Sequence, residues 1–162
     1  MERIWAPWRM KYIETGNIEG CIFCVKPKDE NDEKNYIIKR GKTGFVLLNL
    51  YPYIGGHMMA APYKHTGSLS ELSAEEMTEL FEMTRQAAAV LTDSYKPDGF
   101  NIGLNIGEVA GAGFGDHVHV HIVPRWARDT NFMPVLADTR VISASLDETY
   151  EKVRKTWLAR FG

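Results

Sequence analysis

Apolar and polar positions alternate in short runs in two blocks of the chain, with stretches of helical spacing between and after them. Residues 36–40 and 44–49 have the β-branched and aromatic content of strands, and Gly41-Lys42-Thr43 between them reads as a hairpin turn. After a turn over 51–56, residues 57–61 predict a third strand closed by Pro62. Residues 70–94 carry Met77, Leu80, Phe81, Thr84, Ala88 and Leu91 on one stripe, with Ser73 and Glu76 at the spacing of a capping box. Lys96-Pro97-Asp98-Gly99 ends that helix. Strands are predicted again over 100–106 and 116–123, the second stopped by Pro124. A last amphipathic helix over 145–159 uses Leu146, Tyr150, Val153 and Trp157. The order strands, helix, strands, helix predicts an α+β fold with a mostly antiparallel sheet. Residues 26–36, polar and charged, read as a solvated loop.

Composition narrows the function classes. With 162 residues, 44% of them apolar and 25% charged, the chain has the balance of one globular domain. A formal net charge of −2 provides no field towards nucleic acid or an anionic membrane, so neither is expected as a partner. Any phosphate must be met by local groups. The first nine residues hold no apolar signal region, and no window approaches the roughly 18 apolar residues of a membrane span. A cytoplasmic protein is expected.

His117, His119 and His121 are three of the five histidines and alternate with Val118, Val120 and Ile122. On a strand this places the imidazoles on one face and the aliphatic side chains on the other. The imidazole face cannot be buried cheaply without partners, so it looks into a site, a metal or water. Three imidazoles suit zinc. Imidazole also attacks phosphorus and departs again, which suits a nucleophile for the α-phosphate of a nucleotide. Residues 107–115 lead into this strand, and their glycines let backbone amides wrap an anion. Neither a P-loop nor a dinucleotide fingerprint is present, because no Gly-Lys-Ser/Thr and no helix follows. Cys21 and Cys24 sit three apart, and in a reducing compartment a disulfide is not expected. Half of a metal site, a redox pair and two core residues stay open for them.

The run 117–123, histidine–apolar repeated three times and followed by Val123, resembles the motif of the histidine triad (HIT) family. Asn49, Gly56-His57 leading a strand, Pro62 and His65 resemble the family's upstream block. The likeness covers roughly residues 18–126 of a single HIT-like domain spanning 1–162, with 1–17 and 127–162 as extensions. Trp5-Ala6-Pro7-Trp8-Arg9, Pro124-Arg125-Trp126 and residues 129–135 resemble the bacterial branch similar to diadenosine tetraphosphate phosphorylases. The resemblance implies an antiparallel sheet with a long helix and a C-terminal helix, paired as a homodimer across the long helix. It implies a catalytic set of His117, His119 and His121, with His119 forming a nucleotidyl-histidine and His121 hydrogen-bonding in the phosphate site. It implies that His57 lies under the nucleotide, Asn49 meets the ribose and Asn105 lies near the phosphates. Gly111, Gly113 and Gly115 would let the loop amides stabilise charge on the phosphate oxygens. The substrate class implied is a dinucleoside polyphosphate such as diadenosine tetraphosphate, cleaved by water or by inorganic phosphate. Histidine at the third motif position, where uridylyltransferase relatives have glutamine, favours these branches. Members with a similar cysteine pair also imply a structural zinc on Cys21, Cys24, His65 and His117. No organic cofactor is expected.

Two other readings compete. One is a zinc-dependent hydrolase with the metal on His117, His119 and His121; the other is a non-catalytic nucleotide-binding protein. Trp5, Trp8, Trp126 and Trp157 read first as packing residues, and the first three also as candidates for a base pocket or dimer contact. Lys64, Arg125 and Arg128 are the basic residues nearest the site in sequence, read as solvated or as contacts to distal phosphates.

Overall fold

Five strands pair into one antiparallel sheet in the computed structural model, which describes residues 20–110, 115–127, 129 and 144–162. They are β1 (Ile37–Arg40), β2 (Gly44–Leu48), β3 (Met58–Pro62), β4 (Gly99–Leu104) and β5 (Val120–Arg125), in the order β1-β2-β3-β5-β4. The helices are α1 (Ile22–Val25), α2 (Asp32–Asn35), α3 (Ala74–Tyr95) and α4 (Leu146–Phe161). The expected α+β architecture, with a long and a C-terminal helix, is the one observed. β1 and β2 form the hairpin expected around residues 41–43. Gly44 on β2 lies so close to β3 that a Cβ there would stand 2.6 Å from the Ala61 carbonyl oxygen.

The two sheet faces carry different layers. Val46, Leu48, Met58, Ala60, Val118, Val120 and Ile122 pack with Leu80, Met83 and Leu91 of α3 and Tyr150, Val153 and Trp157 of α4. On the opposite face Ile37, Phe45, Leu47, Met59 and Ala61 pack around Phe23. The period-two alternation therefore sorts the 117–122 segment as expected, with its aliphatic side chains towards the helices. Both long helices start on the full capping box, Ser73 with Glu76 and Ser145 with Glu148.

Several details depart from the sequence reading. Phe81 is 48% exposed, and the buried stripe of α3 runs instead through Leu80, Met83, Thr84, Ala87, Val90 and Leu91. β5 begins at Val120, and His117 and His119 precede its ladder. It also continues through Pro124 to Arg125. β3 pairs with β5 only as far as Ile122, so beyond it β5 has a neighbour on one side alone, where proline is tolerated. The 26–36 segment exposes Lys28, Glu30, Asn31, Glu33 and Lys34 as a solvated segment does, but it holds short helical turns where a loop is expected. Arg40 on β1 donates to the Pro27 and Asp29 carbonyls and to Asp32, each at 2.7 Å. Lys26 is buried beneath this cap, donates to the Asn35 carbonyl at 3.1 Å, and is drawn down to about 8 by burial.

Candidate active site and metal centre

The 117–121 segment leads into β5 and turns its imidazoles to the sheet face opposite the long helices, where Phe23 packs, with His121 paired to Met59 of β3. The Val118 amide donates to the Thr66 carbonyl at 2.7 Å and holds the start of the segment against the loop that carries His65. At Gly67 that loop passes so close that a Cβ would lie 2.6 Å from the Gly115 carbonyl oxygen. His117 and His119 are buried and His121 half-buried.

Each imidazole has a nitrogen whose role is set by a fixed partner. A carbonyl can only accept, so His117 donates from Nε2 to the Pro62 carbonyl at 2.9 Å and keeps a lone pair on Nδ1. His119 likewise donates from Nδ1 to the His117 carbonyl at 2.8 Å, which leaves its Nε2 with a free lone pair. The Tyr53 amide donates to His57 Nδ1 at 3.1 Å, so neutral His57 carries its proton on Nε2 and donates it to His121 Nδ1 at 2.9 Å. His121 in turn keeps a proton on Nε2. Burial holds His117 and His119 below the usual imidazole range. It takes His121 down to about 4 and His57 to about 3, assisted by the neighbouring imidazoles. At neutral pH His57 and His121 are therefore uncharged, and burial favours the neutral form of His117 and His119.

The three triad side chains take different partners, while the His119 and His121 rings meet edge to face at 4.8 Å. His121 turns to His57, His119 stacks on Phe23, and His117 Nδ1 turns to the cysteines. They do not converge on one point, which counts against a zinc held by all three. Cys21, Cys24, His65 and His117 do converge, and they are the single His/Cys/Asp/Glu group able to hold a metal ion among the described residues. Cys21 Sγ lies 3.3 Å and Cys24 Sγ 3.6 Å from His117 Nδ1. His65 Nδ1 lies 3.4 Å from Cys24 Sγ and 3.3 Å from His117 Nδ1. Bonds of about 2.0–2.3 Å to a tetrahedral zinc require ligand separations of about 3.3–3.8 Å. A thiol pair facing an unprotonated imidazole nitrogen therefore fits zinc in chemistry and in size. Burial, with the adjacent Cys21, pushes the Cys24 thiol up, a bias that a cation reverses.

The remaining expected residues are placed unevenly. Asn49 directs its amide to His57 at 3.3 Å, while its carbonyl oxygen accepts from the Tyr51 amide at 2.9 Å. Asn105 follows β4 one residue beyond the Leu104–Val120 pair, at the level of His119. Gly115 is described; Gly111, Gly113, Trp5, Trp8 and Arg128 lie outside the described residues. Trp157 is core and Trp126 donates to the Tyr95 carbonyl at 3.4 Å, so both pack against helices. Lys64 donates to the Glu71 carbonyl, and Arg125 is held by Asp129 and Asn101.

Two residues escaped the sequence reading. Phe23 stacks on His119 at 4.5 Å between ring centres, and Tyr53 packs against His57 at 4.7 Å with the rings tilted by 37°. The signals for them were weak: an aromatic between two cysteines, and the aromatic run Tyr51-Pro52-Tyr53.

Set against known proteins, residues 30–128 match the family model of the HIT domain. The chain belongs to the HIT family. It is 35% identical over 165 residues to the AP-4-A phosphorylase of Mycobacterium tuberculosis, covering 97% of this chain and 85% of that protein. The asymmetrical bis(5'-nucleosyl)-tetraphosphatase of Schizosaccharomyces pombe is 33% identical over 93 residues, 57% of this chain and 50% of that one. The crystal structure of a Zn-bound histidine triad family protein from Mycobacterium smegmatis superposes with a TM-score of 0.68. That superposition covers 86% of this chain and 94% of that one at 24% identity, a likeness of fold.

Proposed function

We propose that this HIT-family protein is an enzyme that cleaves dinucleoside polyphosphates such as diadenosine tetraphosphate through a nucleotidyl-histidine at His119. The observation that carries this reading is the tautomer of His119: its Nδ1–H is tied to the His117 carbonyl, so an unprotonated Nε2 is the ring's reactive nitrogen. The likeness to AP-4-A phosphorylase supports the substrate class.

The Nε2 lone pair bonds to the α-phosphorus as the bond to the bridging oxygen breaks. With diadenosine tetraphosphate, ATP departs and an adenylyl group remains on His119. Terminal phosphates titrate near pH 6, so the polyphosphate leaves as an anion without a general acid. Water then releases AMP, or inorganic phosphate releases ADP, and the His119 lone pair is restored. Two displacements replace one difficult step. His121 offers Nε2–H to the phosphate oxygens, with His57 Nε2–H holding the ring in that tautomer. Asn49 lies beside His57 for the ribose and Asn105 follows the Leu104–Val120 pair for the phosphates; stabilising the developing charge is assigned to the amides of 107–115, Gly111, Gly113 and Gly115 among them, on the family resemblance.

Zinc on Cys21, Cys24, His65 and His117 fits the donor set and would be structural, leaving His119 free. We further read 1–162 as one HIT-like domain, since α4 shares the core of α3. The exposed Phe81 and Ile102 support a homodimer. Both cysteines are free thiols, in keeping with the cytoplasm, and no described helix is long and apolar enough to cross a membrane.

The test is intact mass after mixing with diadenosine tetraphosphate and early quenching. An added adenylyl mass is expected in the parent and none in His119→Ala. Production of ADP and ATP only with inorganic phosphate present identifies phosphorolysis; AMP and ATP without it identifies hydrolysis. Turnover without an adduct, undiminished in His119→Ala, refutes the mechanism.

A further inference from the structure

Phe23 stands between the two cysteines in sequence and against two histidines in space. Its ring is 1% exposed, stacks on His119 at 4.5 Å with 27° between planes, and lies 5.2 Å from the His117 ring. The backbone that presents it is a single turn, closed by the Cys24 and Val25 amides on the Cys21 carbonyl at 3.0 Å each. One turn of helix does not hold itself in water. Phe23 is seated among Ile37, Phe45, Leu47, Met59 and Ala61, and the side chains at the two ends of the turn add a second anchor, both directed to His117 Nδ1.

His119 is thus restrained twice. One ring edge is bonded to the His117 carbonyl, and one face is covered by Phe23. Both restraints lead back to the same four residues, because His117 supplies the carbonyl while its own ring joins Cys21 and Cys24. A ring rotation that released Nδ1–H from the carbonyl would also have to slide past Phe23.

We propose that the Cys21/Cys24/His65/His117 metal site positions the nucleophile, with Phe23 as the positioning residue that the metal-held turn presses onto the His119 ring. The inference deepens the catalytic reading of His119 and rests on it. Metal occupancy then governs how uniformly His119 presents Nε2, and it acts on the chemical step more than on substrate binding.

The test uses full-length zinc-loaded protein with 15N-labelled histidine. The ring-nitrogen signals of His119 report its tautomer with no substrate present. Phe23→Leu, which keeps an apolar side chain of similar bulk, is expected to retain the zinc content of the parent and yet move the His119 signals towards a tautomer mixture. Its kcat should fall about tenfold, the scale of a modest misplacement of a reacting group, with KM changed less than twofold. Zinc-stripped parent and Cys24→Ser should show the same signal shift, and adding Phe23→Leu to Cys24→Ser should lower kcat no further. Parent-like His119 signals in Phe23→Leu, or in the zinc-stripped parent, overturn the proposal. A parent protein that neither turns over dinucleoside polyphosphate nor takes up adenylyl would sink the catalytic reading, while the ring-nitrogen signals still decide whether Phe23 and the metal site position His119.

Discussion

His57 is the most deeply placed imidazole, with no measurable exposure and both nitrogens engaged. Folded, it takes a proton only near 3, against an ordinary value of 6.5. Between those values the unfolded chain holds the additional proton, so acid favours unfolding. The stabilisation from a neutral His57 is complete above about 6.5 and is lost as pH falls towards 3. Urea midpoints are expected to drop from pH 7 to pH 4.5, and the drop should shrink in His57→Gln. An identical slope in parent and variant would remove His57 as its source. The sign is the same for activity. Burial holds His119 below the usual imidazole range, so the acid limb of adenylyl transfer should lie below 6.5. A limb at or above that value would mean that another group controls it.

At the scale of elements, α3 owes its start to local chemistry and its orientation to packing. Ser73 accepts from the Glu76 amide at 3.2 Å, and the Glu76 carboxylate accepts from the Ser73 amide at 2.7 Å. Ser73→Ala should cost about 1 kcal/mol, the usual worth of such a cap, read as a lower urea midpoint with unchanged adenylylation. A variant as stable as the parent would show that tertiary contacts alone hold the helix end. β2 and β3 approach more tightly than a side chain at Gly44 allows. Gly44→Val therefore has to force these strands away from each other, and β3 leads from His57 into the site, so both stability and activity should fall.

For the whole molecule, the proposed zinc ties together segments far apart in the chain: residues 21–24, His65 and His117. Closing those loops in the folded state couples metal binding to stability. Chelation is expected to lower the thermal midpoint, and Cys24→Ser should lower it similarly with no further response to chelator. The homodimer reading belongs to this scale as well. β4 is an edge of the described sheet, and Ile102 on it is 47% exposed, as Phe81 on α3 is 48%. Paired Phe81→Glu and Ile102→Glu should shift sedimentation from dimer to monomer. A parent that sediments as a monomer refutes the dimer directly.

Much of this was legible in the chain because it depends on neighbours in sequence. Alternation placed Val118, Val120 and Ile122 in the core opposite the imidazoles, and Ser73 began its helix through a partner three residues on. The α+β order and the two long helices follow from the same local periodicities. What tertiary structure alone decided is how the three aligned histidines divide. Their individual partners, Cys21 and Cys24 for His117, Phe23 for His119 and His57 for His121, come from chain segments 64 or more residues away. The tautomers of His117 and His119 followed from backbone carbonyls, and that of His121 from the distant His57 ring, none of which a local side-chain pattern reveals. Nor does a local pattern show that Arg40 reaches across to close a charged stretch, or that β5 is open on one side where Pro124 falls. Spacing along a strand fixes which way a side chain points; only the packed sheet fixes what it meets.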